Sequence, residues 1–335
     1  MSKRIRIIGL FVMQTLLVDS ANTTVVDVTY LCNATCKYCQ WGNQLTPGRT
    51  HRTLEEVLLP EATLKSLGTQ RIVLSGGEPR LHPRLKQILS HYRQLVDQVV
   101  VITNGYGLDA TEVSRLLQNG ATGITLSLDS VFSNMANATR ETSPALHAKI
   151  LTNLEKIAKA DRHFELGINS VVSHPTANWR NVQALLQWAL NIMVDFVKFQ
   201  PVFDDGYVGQ NAPELRLSPL DVPALLEISD SIESISHPLT NPSEFWRDLA
   251  ELASGERLPS RTCGLGPRHS ILTGQKLNIC YWLDSASFGG PSDLLTADSA
   301  SAVRARFADE KLKCKVGFHC FCTQNIGHKW KEPMA

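Results

Sequence analysis

Three cysteines, Cys32, Cys36 and Cys39, stand within the eight residues Cys32-Asn33-Ala34-Thr35-Cys36-Lys37-Tyr38-Cys39. Thiolates this close on one tight loop can turn toward a single point. That suits three irons of a [4Fe–4S] cube and leaves the fourth iron without a protein ligand. A zinc site competes, but it asks for four ligands, usually in two pairs, and the nearest spare side chain, His51, is poorly placed. A disulfide framework fits badly with a chain of 335 residues holding eight cysteines and no secretory context.

The elements around the loop say where it sits. Thr24 to Leu31, just before it, alternates and is rich in β-branched residues, as a strand would be. Strand-like runs cover 24–30, 71–75, 98–103, 123–128, 165–172 and 196–203, with helical stretches near 53–67, 81–96, 109–119, 144–160 and 177–192 between them. Pro60 is expected to split the first helix. Asp109 and Glu112 predict a capping box on the third, which Asn119-Gly120 closes. Six βα units imply a parallel sheet with right-handed crossovers, either doubly wound or curled into a barrel.

Chemistry in such folds gathers at the C-terminal ends of the strands. Leu74-Ser75-Gly76-Gly77-Glu78-Pro79 ends the second strand. Its paired glycines let the backbone approach a ligand closely, and Glu78 can receive an ammonium group. Thr103-Asn104-Gly105 ends the third strand and Ser127-Leu128-Asp129 the fourth, though both are also ordinary turn formers. Arg140 falls in a loop before the helical stretch at 144–160; its fork suits a carboxylate, and a solvated surface arginine is the competing reading. Asn169 and Gln200 alternate with apolar neighbours and are expected to face the interior, as cofactor or substrate contacts or as satisfied core polars. No catalytic acid or base stands out, because Asp204-Asp205-Gly206 reads as a turn.

The C-x-x-x-C-x-aromatic-C loop, followed one βα unit later by Gly-Gly-Glu-Pro, resembles the radical S-adenosylmethionine (radical SAM) superfamily. The resemblance implies an α/β fold, a partial (β/α)6 TIM-like barrel, with a [4Fe–4S] cluster on Cys32, Cys36 and Cys39. Its open iron would bind the amino and carboxylate groups of SAM, with Tyr38 in the aromatic slot of the loop. By the same resemblance Gly76, Gly77, Glu78 and Pro79 hold the SAM amino group, Thr103, Asn104, Ser127 and Asp129 touch its ribose or methionine part, and Arg140 pairs its carboxylate. The reduced cluster, fed by a carrier such as ferredoxin or flavodoxin, would split SAM, and the resulting 5′-deoxyadenosyl radical would abstract a substrate hydrogen.

The other five cysteines, Cys263, Cys280, Cys314, Cys320 and Cys322, all lie in the last quarter of the chain. That segregation points to a second metal site, and Gly274 to Cys280 reads as a hairpin returning Cys280 toward Cys263. The region resembles the cysteine-rich SPASM and twitch extensions of radical SAM enzymes. The count implies one auxiliary [4Fe–4S] cluster with one cysteine spare; structural zinc, with His319 as a further ligand, is the alternative. The expected organisation is an N-terminal segment (1–23), a barrel (24–205), a helical bridge (206–262, helical near 219–235 and 243–254) and an auxiliary-cluster domain (263–335).

A net charge of +1, with 43% hydrophobic and 19% charged residues, describes an ordinary globular protein without the electrostatic footprint of a nucleic-acid binder. The apolar run from Ile7 to Val18 is too short to span a bilayer and contains Gln14, so a cytoplasmic protein is expected, with Met13 an alternative start. For substrate, the resemblance favours a ribosomally synthesised peptide, recognised directly or through a separate leader-binding protein. Oxidation of a small molecule such as an amino sugar is the alternative, and an iron–sulfur or zinc scaffold without SAM chemistry is a remote one.

Overall fold

The computed structural model describes residues 22–39, 50–160, 162–202, 207–235, 240–255, 269–279, 287–293 and 295–310. Residues 1–21 of the N-terminal segment, the Asp204–Gly206 turn, His319 and all five C-terminal cysteines lie outside these residues.

Six parallel strands, β1 (Thr23–Thr29), β2 (Arg71–Gly76), β3 (Gln98–Thr103), β4 (Gly123–Ser127), β5 (Glu165–Val172) and β6 (Phe196–Pro201), pair in chain order. Helices α1 (Leu54–Val57), α2 (Glu61–Leu67), α3 (Leu85–Arg93), α4 (Ala110–Gln118), α5 (Ser133–Arg140), α6 (Pro144–Lys159) and α7 (Trp179–Ile192) lie in the crossovers. Alternate strand residues such as Val26, Ile72, Val99, Ile124, Leu166 and Val197 are buried against helix residues including Leu64, Leu89 and Leu185. Pro60 divides α1 from α2, as expected, and caps the second.

The sheet curls into an open partial barrel. Arg71 on β2 pairs with Glu165 on β5 at 2.5 Å, although β3 and β4 intervene. Three strand spacings of a flat sheet, about 14 Å, would hold those side chains apart. Curvature brings them together over Gly123, whose β-carbon would lie 3.1 Å from Glu165 Cβ.

Two local expectations change. Asp109 caps α4 by accepting from Glu112 N at 2.9 Å, but the Glu112 carboxylate does not return to the cap; it pairs with Arg80 at 3.1 Å and Arg115 at 2.7 Å. Two guanidinium groups outbid one backbone N–H. Arg140 is not in a loop: it ends α5, is 7% exposed, and precedes Glu141 in the left-handed conformation at φ 51°.

Beyond β6 come α8 (Tyr207–Asn211), α9 (Val222–Ile235) and α10 (Ser243–Ala253). The hairpin expected around Gly274 forms from β7 (His269–Thr273) and β8 (Lys276–Asn278). It joins the main sheet, with β7 parallel to β1 and β9 (Ser287–Gly289) beside β8. Arg52 staples this seam: its guanidinium donates to the carbonyls of Asp27 (2.6 Å), Glu56 (2.9 Å), Leu272 (3.4 Å) and Gly274. A last helix, α11 (Ala297–Glu310), follows. Among the described residues no helix is long and apolar enough to cross a membrane.

Candidate active site

The cysteine loop leaves β1 at the C-terminal end of the sheet. Cys36 is buried, and Cys32 and Cys39 are half-buried. Cys39 N donates to Cys36 O at 3.0 Å, closing a turn between the last two thiols. Two N–H groups point at Cys32 Sγ, from Ala34 at 3.4 Å and from Asn104 Nδ2 at 3.8 Å. Donors to sulfur are a lever by which proteins tune cluster ligands. Burial pushes the Cys36 thiol up to about 12, with the Arg140 guanidinium pulling the other way; burial also raises the Cys32 thiol. Iron binding must therefore displace protons.

Among the described residues no three His, Cys, Asp or Glu side chains gather closely enough for a single metal ion. A cube puts each thiolate on a different iron, so its ligands stand farther apart than those of one ion. Three thiols on one loop, with N–H donors on Cys32, fit that donor set.

The loop is fastened on both sides. On one, Gly77 N donates to Thr29 O at 2.7 Å and Glu78 N to Leu31 O at 2.8 Å. The paired glycines serve this approach of chain to chain. A β-carbon at Gly76 would lie 2.4 Å from Thr29 O, and one at Gly77 2.1 Å from Leu31 O. Asn104 Nδ2 donates to Asn33 Oδ1 at 2.7 Å. Glu78, 1% exposed, caps the short 3-10 turn Pro79–Leu81 by accepting from Arg80 N. It also accepts from Thr103 Oγ1 at 2.9 Å and Asn104 N at 2.8 Å. Burial raises its carboxyl, and these donors and Arg80 oppose the rise.

On the other side Lys37 N donates to Thr139 O at 3.0 Å. The Tyr38 hydroxyl donates to Asp129 Oδ2 at 2.8 Å and accepts from Arg140 Nη1 at 2.6 Å. Its ring packs on Val171, Val202, Val208, Ala212 and Leu215. Asp129 is wholly buried and lies 3.5 Å from Arg140 Nη1.

Ser127 and Asn169 stand side by side in the β4–β5 register, with Gln200 opposite Val171 on β6. All three are half-buried. Ser127, Asn169 and Gln200 share the face of the sheet that carries Glu165, at successive levels toward its C-terminal end. Nothing in the local pattern singles out Asn33, Arg80 or Thr139; each gains its role from a partner far along the chain.

Residues 26–189 match the family described as "Radical SAM superfamily". Among solved structures, the fold is similar to "Native anSMEcpe with bound AdoMet and Cp18Cys peptide", with 19% identity, a TM-score of 0.57, and coverage of 89% of this chain and 87% of that one. It is also similar to SuiB of Streptococcus suis "bound to precursor peptide SuiA", with 14% identity, a TM-score of 0.59, and coverage of 88% and 70%. A third similar structure is "HydG: A maturase of the [FeFe]-hydrogenase", with 13% identity, a TM-score of 0.53, and coverage of 68% and 54%. Matched family, three-cysteine loop and the Gly-Gly-Glu-Pro turn locked against it coincide, and the chain carries a radical SAM domain.

Proposed function

We propose that this protein is a radical SAM enzyme that modifies a ribosomally synthesised peptide in the cytoplasm, assisted by an auxiliary [4Fe–4S] cluster on the C-terminal cysteines. The observation that supports a peptide substrate is the likeness, over 89% and 88% of this chain, to two proteins whose structures hold peptides. When bound, the cluster on Cys32, Cys36 and Cys39 supplies the electron that cleaves SAM.

The protein's own task is to hold the reactants and exclude water. Gly76 to Pro79 place backbone groups and Glu78 beside the loop, where a SAM ammonium would compensate the buried carboxylate. Thr103 and Asn104 hold Glu78 in place. Ser127, Asn169 and Gln200 offer hydrogen bonds from the inner face, and Arg140 brings a buried positive charge to Tyr38 and the loop. Cys263, Cys280, Cys314, Cys320 and Cys322 supply four ligands and one spare for the auxiliary cluster. A ferredoxin or flavodoxin delivers the electron, and a leader-binding protein or the enzyme itself captures the peptide.

The test is anaerobic 5′-deoxyadenosine formation with host lysate divided by size. Stimulation by the peptide fraction is expected. Stimulation by the small-molecule fraction alone would overturn the peptide reading and favour oxidation of a metabolite such as an amino sugar. Replacing Cys32, Cys36 and Cys39 together by Ala should halve the iron and leave a [4Fe–4S] signal; loss of all iron would sink the two-cluster assignment.

A further inference from the structure

We propose that Asp129 is a positioning residue that seats the cluster loop through the Tyr38 hydroxyl, and that it does not touch SAM. The proposal rests on the radical SAM reading for its consequence, but its geometry is independent of any bound group.

An ionised carboxylate has about four acceptor sites. Asp129 meets three hydrogen-bond donors and one guanidinium. Val171 N lies 3.0 Å and Arg140 Nη1 3.5 Å from Oδ1, while the hydroxyls of Tyr38 and Thr139 lie 2.8 Å and 3.2 Å from Oδ2. The side chain has no exposed surface. A SAM hydroxyl would have to displace one of these partners. The backbone is anchored as well, because Asp129 O accepts from Asn181 Nδ2 at 3.1 Å on α7. Asp129 thus joins the end of β4 to β5, α5 and α7, and hands that fixed position to Tyr38.

Tyr38 is well placed to transmit it. Its ring is held by the apolar cluster around Val171 and Leu215, and its hydroxyl is held by Asp129 and Arg140. Lys37 is tied to Thr139. The two residues between Cys36 and Cys39 are therefore both fastened to the β4–α5 corner, so the loop holds its shape before iron arrives. Thr139 and Arg140 share this duty, one through its carbonyl and hydroxyl, the other through its fork.

Two variants and two readouts separate the roles. Tyr38→Phe removes one hydroxyl and keeps the ring; Asp129→Asn keeps the shape and removes the charge. In the apoprotein, the alkylation rate of Cys36 reports the seating of the loop without iron or SAM; Tyr38→Phe, which removes no charge, separates seating from the direct effect of the Asp129 charge on the thiol. Wild-type Cys36 should react slowly, and both variants should speed it about tenfold, the weight of one hydrogen bond to a charged group. The double variant should be no faster than Asp129→Asn alone, since both changes cut one link. After reconstitution, both variants should take up less iron, while the loaded fraction binds SAM with wild-type affinity. Unchanged Cys36 reactivity in both would overturn the proposal. So would an Asp129→Asn protein that loads iron normally but binds SAM weakly. Should Asp129→Asn fail to fold, Tyr38→Phe decides by the same two readouts. Wild-type protein that takes up no iron would count against the radical SAM reading, and the alkylation arm would still decide this one.

Discussion

The two flanks of the cysteine loop are held by different physics. On the side of β2 and β3 the fastening is steric and made largely by backbone. Gly77 N and Glu78 N bond the carbonyls of Thr29 and Leu31, and the chains approach so closely that no side chain fits at Gly77. On the side of β4 and α5 it is made by side chains and charge: Tyr38 between Asp129 and Arg140. A steric joint tolerates or rejects a substitution by shape, and salt does not alter it. A buried charged joint stands or falls with its partners, because an unpaired charge in the interior is costly.

The largest effect should come from breaking the charged flank. Asp129→Ala leaves Arg140 buried without its carboxylate, and a loss of about 3–5 kcal/mol of stability is expected in denaturant unfolding. A loss below about 1 kcal/mol would show that Arg140 finds another partner.

A second charge test lies in β1, the strand that carries the loop. Asp27 is buried, and burial raises its carboxyl from 3.8 to about 6 against a hydrogen bond from Thr273 and the charge of Arg52. The folded state therefore holds this proton more tightly than the unfolded one. Its contribution to stability is fully present below pH 3.8 and is lost as pH rises through about 6. Asp27→Asn should remove that slope, worth about 3 kcal/mol across the window, relative to wild type. Parallel pH–stability curves for the two proteins would refute it.

Breaking the steric flank should cost less in stability. Gly77→Ala must push the Leu31 carbonyl away, an overpacking cost of about 1–3 kcal/mol. Iron uptake should fall with it, and raised salt should not change the difference. The smallest effect belongs to Lys37, whose ion pair with Glu214 spans 3.5 Å on the surface. Lys37→Ala should change stability by about 0–1 kcal/mol and vanish in high salt.

The strands were readable because their pattern is local: β-branched alternation located β3 and β5 at their observed ends, and the breaks at Pro60 and Gly120 followed from backbone chemistry. The three thiols and Gly76-Gly77-Glu78 were readable for the same reason. Helix α5 was not, since Phe132 gives it no side-chain cap and its residues are mostly polar. Nor was the burial of Arg140, which depends on Tyr38, 102 positions away. The placing of β7 beside β1 was hidden likewise, because the Thr24–Ser270 contact at 2.7 Å joins residues 246 apart. Glu78 and Asp129 were visible as polar residues at strand ends; that both are enclosed by protein donors needed the fold.

If this loop and its two flanks form a SAM-cleaving centre, the protein must make 5′-deoxyadenosine when given SAM and an electron. Anaerobic reconstitution with iron and sulfide, followed by SAM and dithionite, tests it by the appearance of 5′-deoxyadenosine. 5′-Deoxyadenosine is expected from the wild-type protein, and none when Cys32, Cys36 and Cys39 are replaced by Ala. No 5′-deoxyadenosine from wild-type protein with a full complement of iron would contradict it.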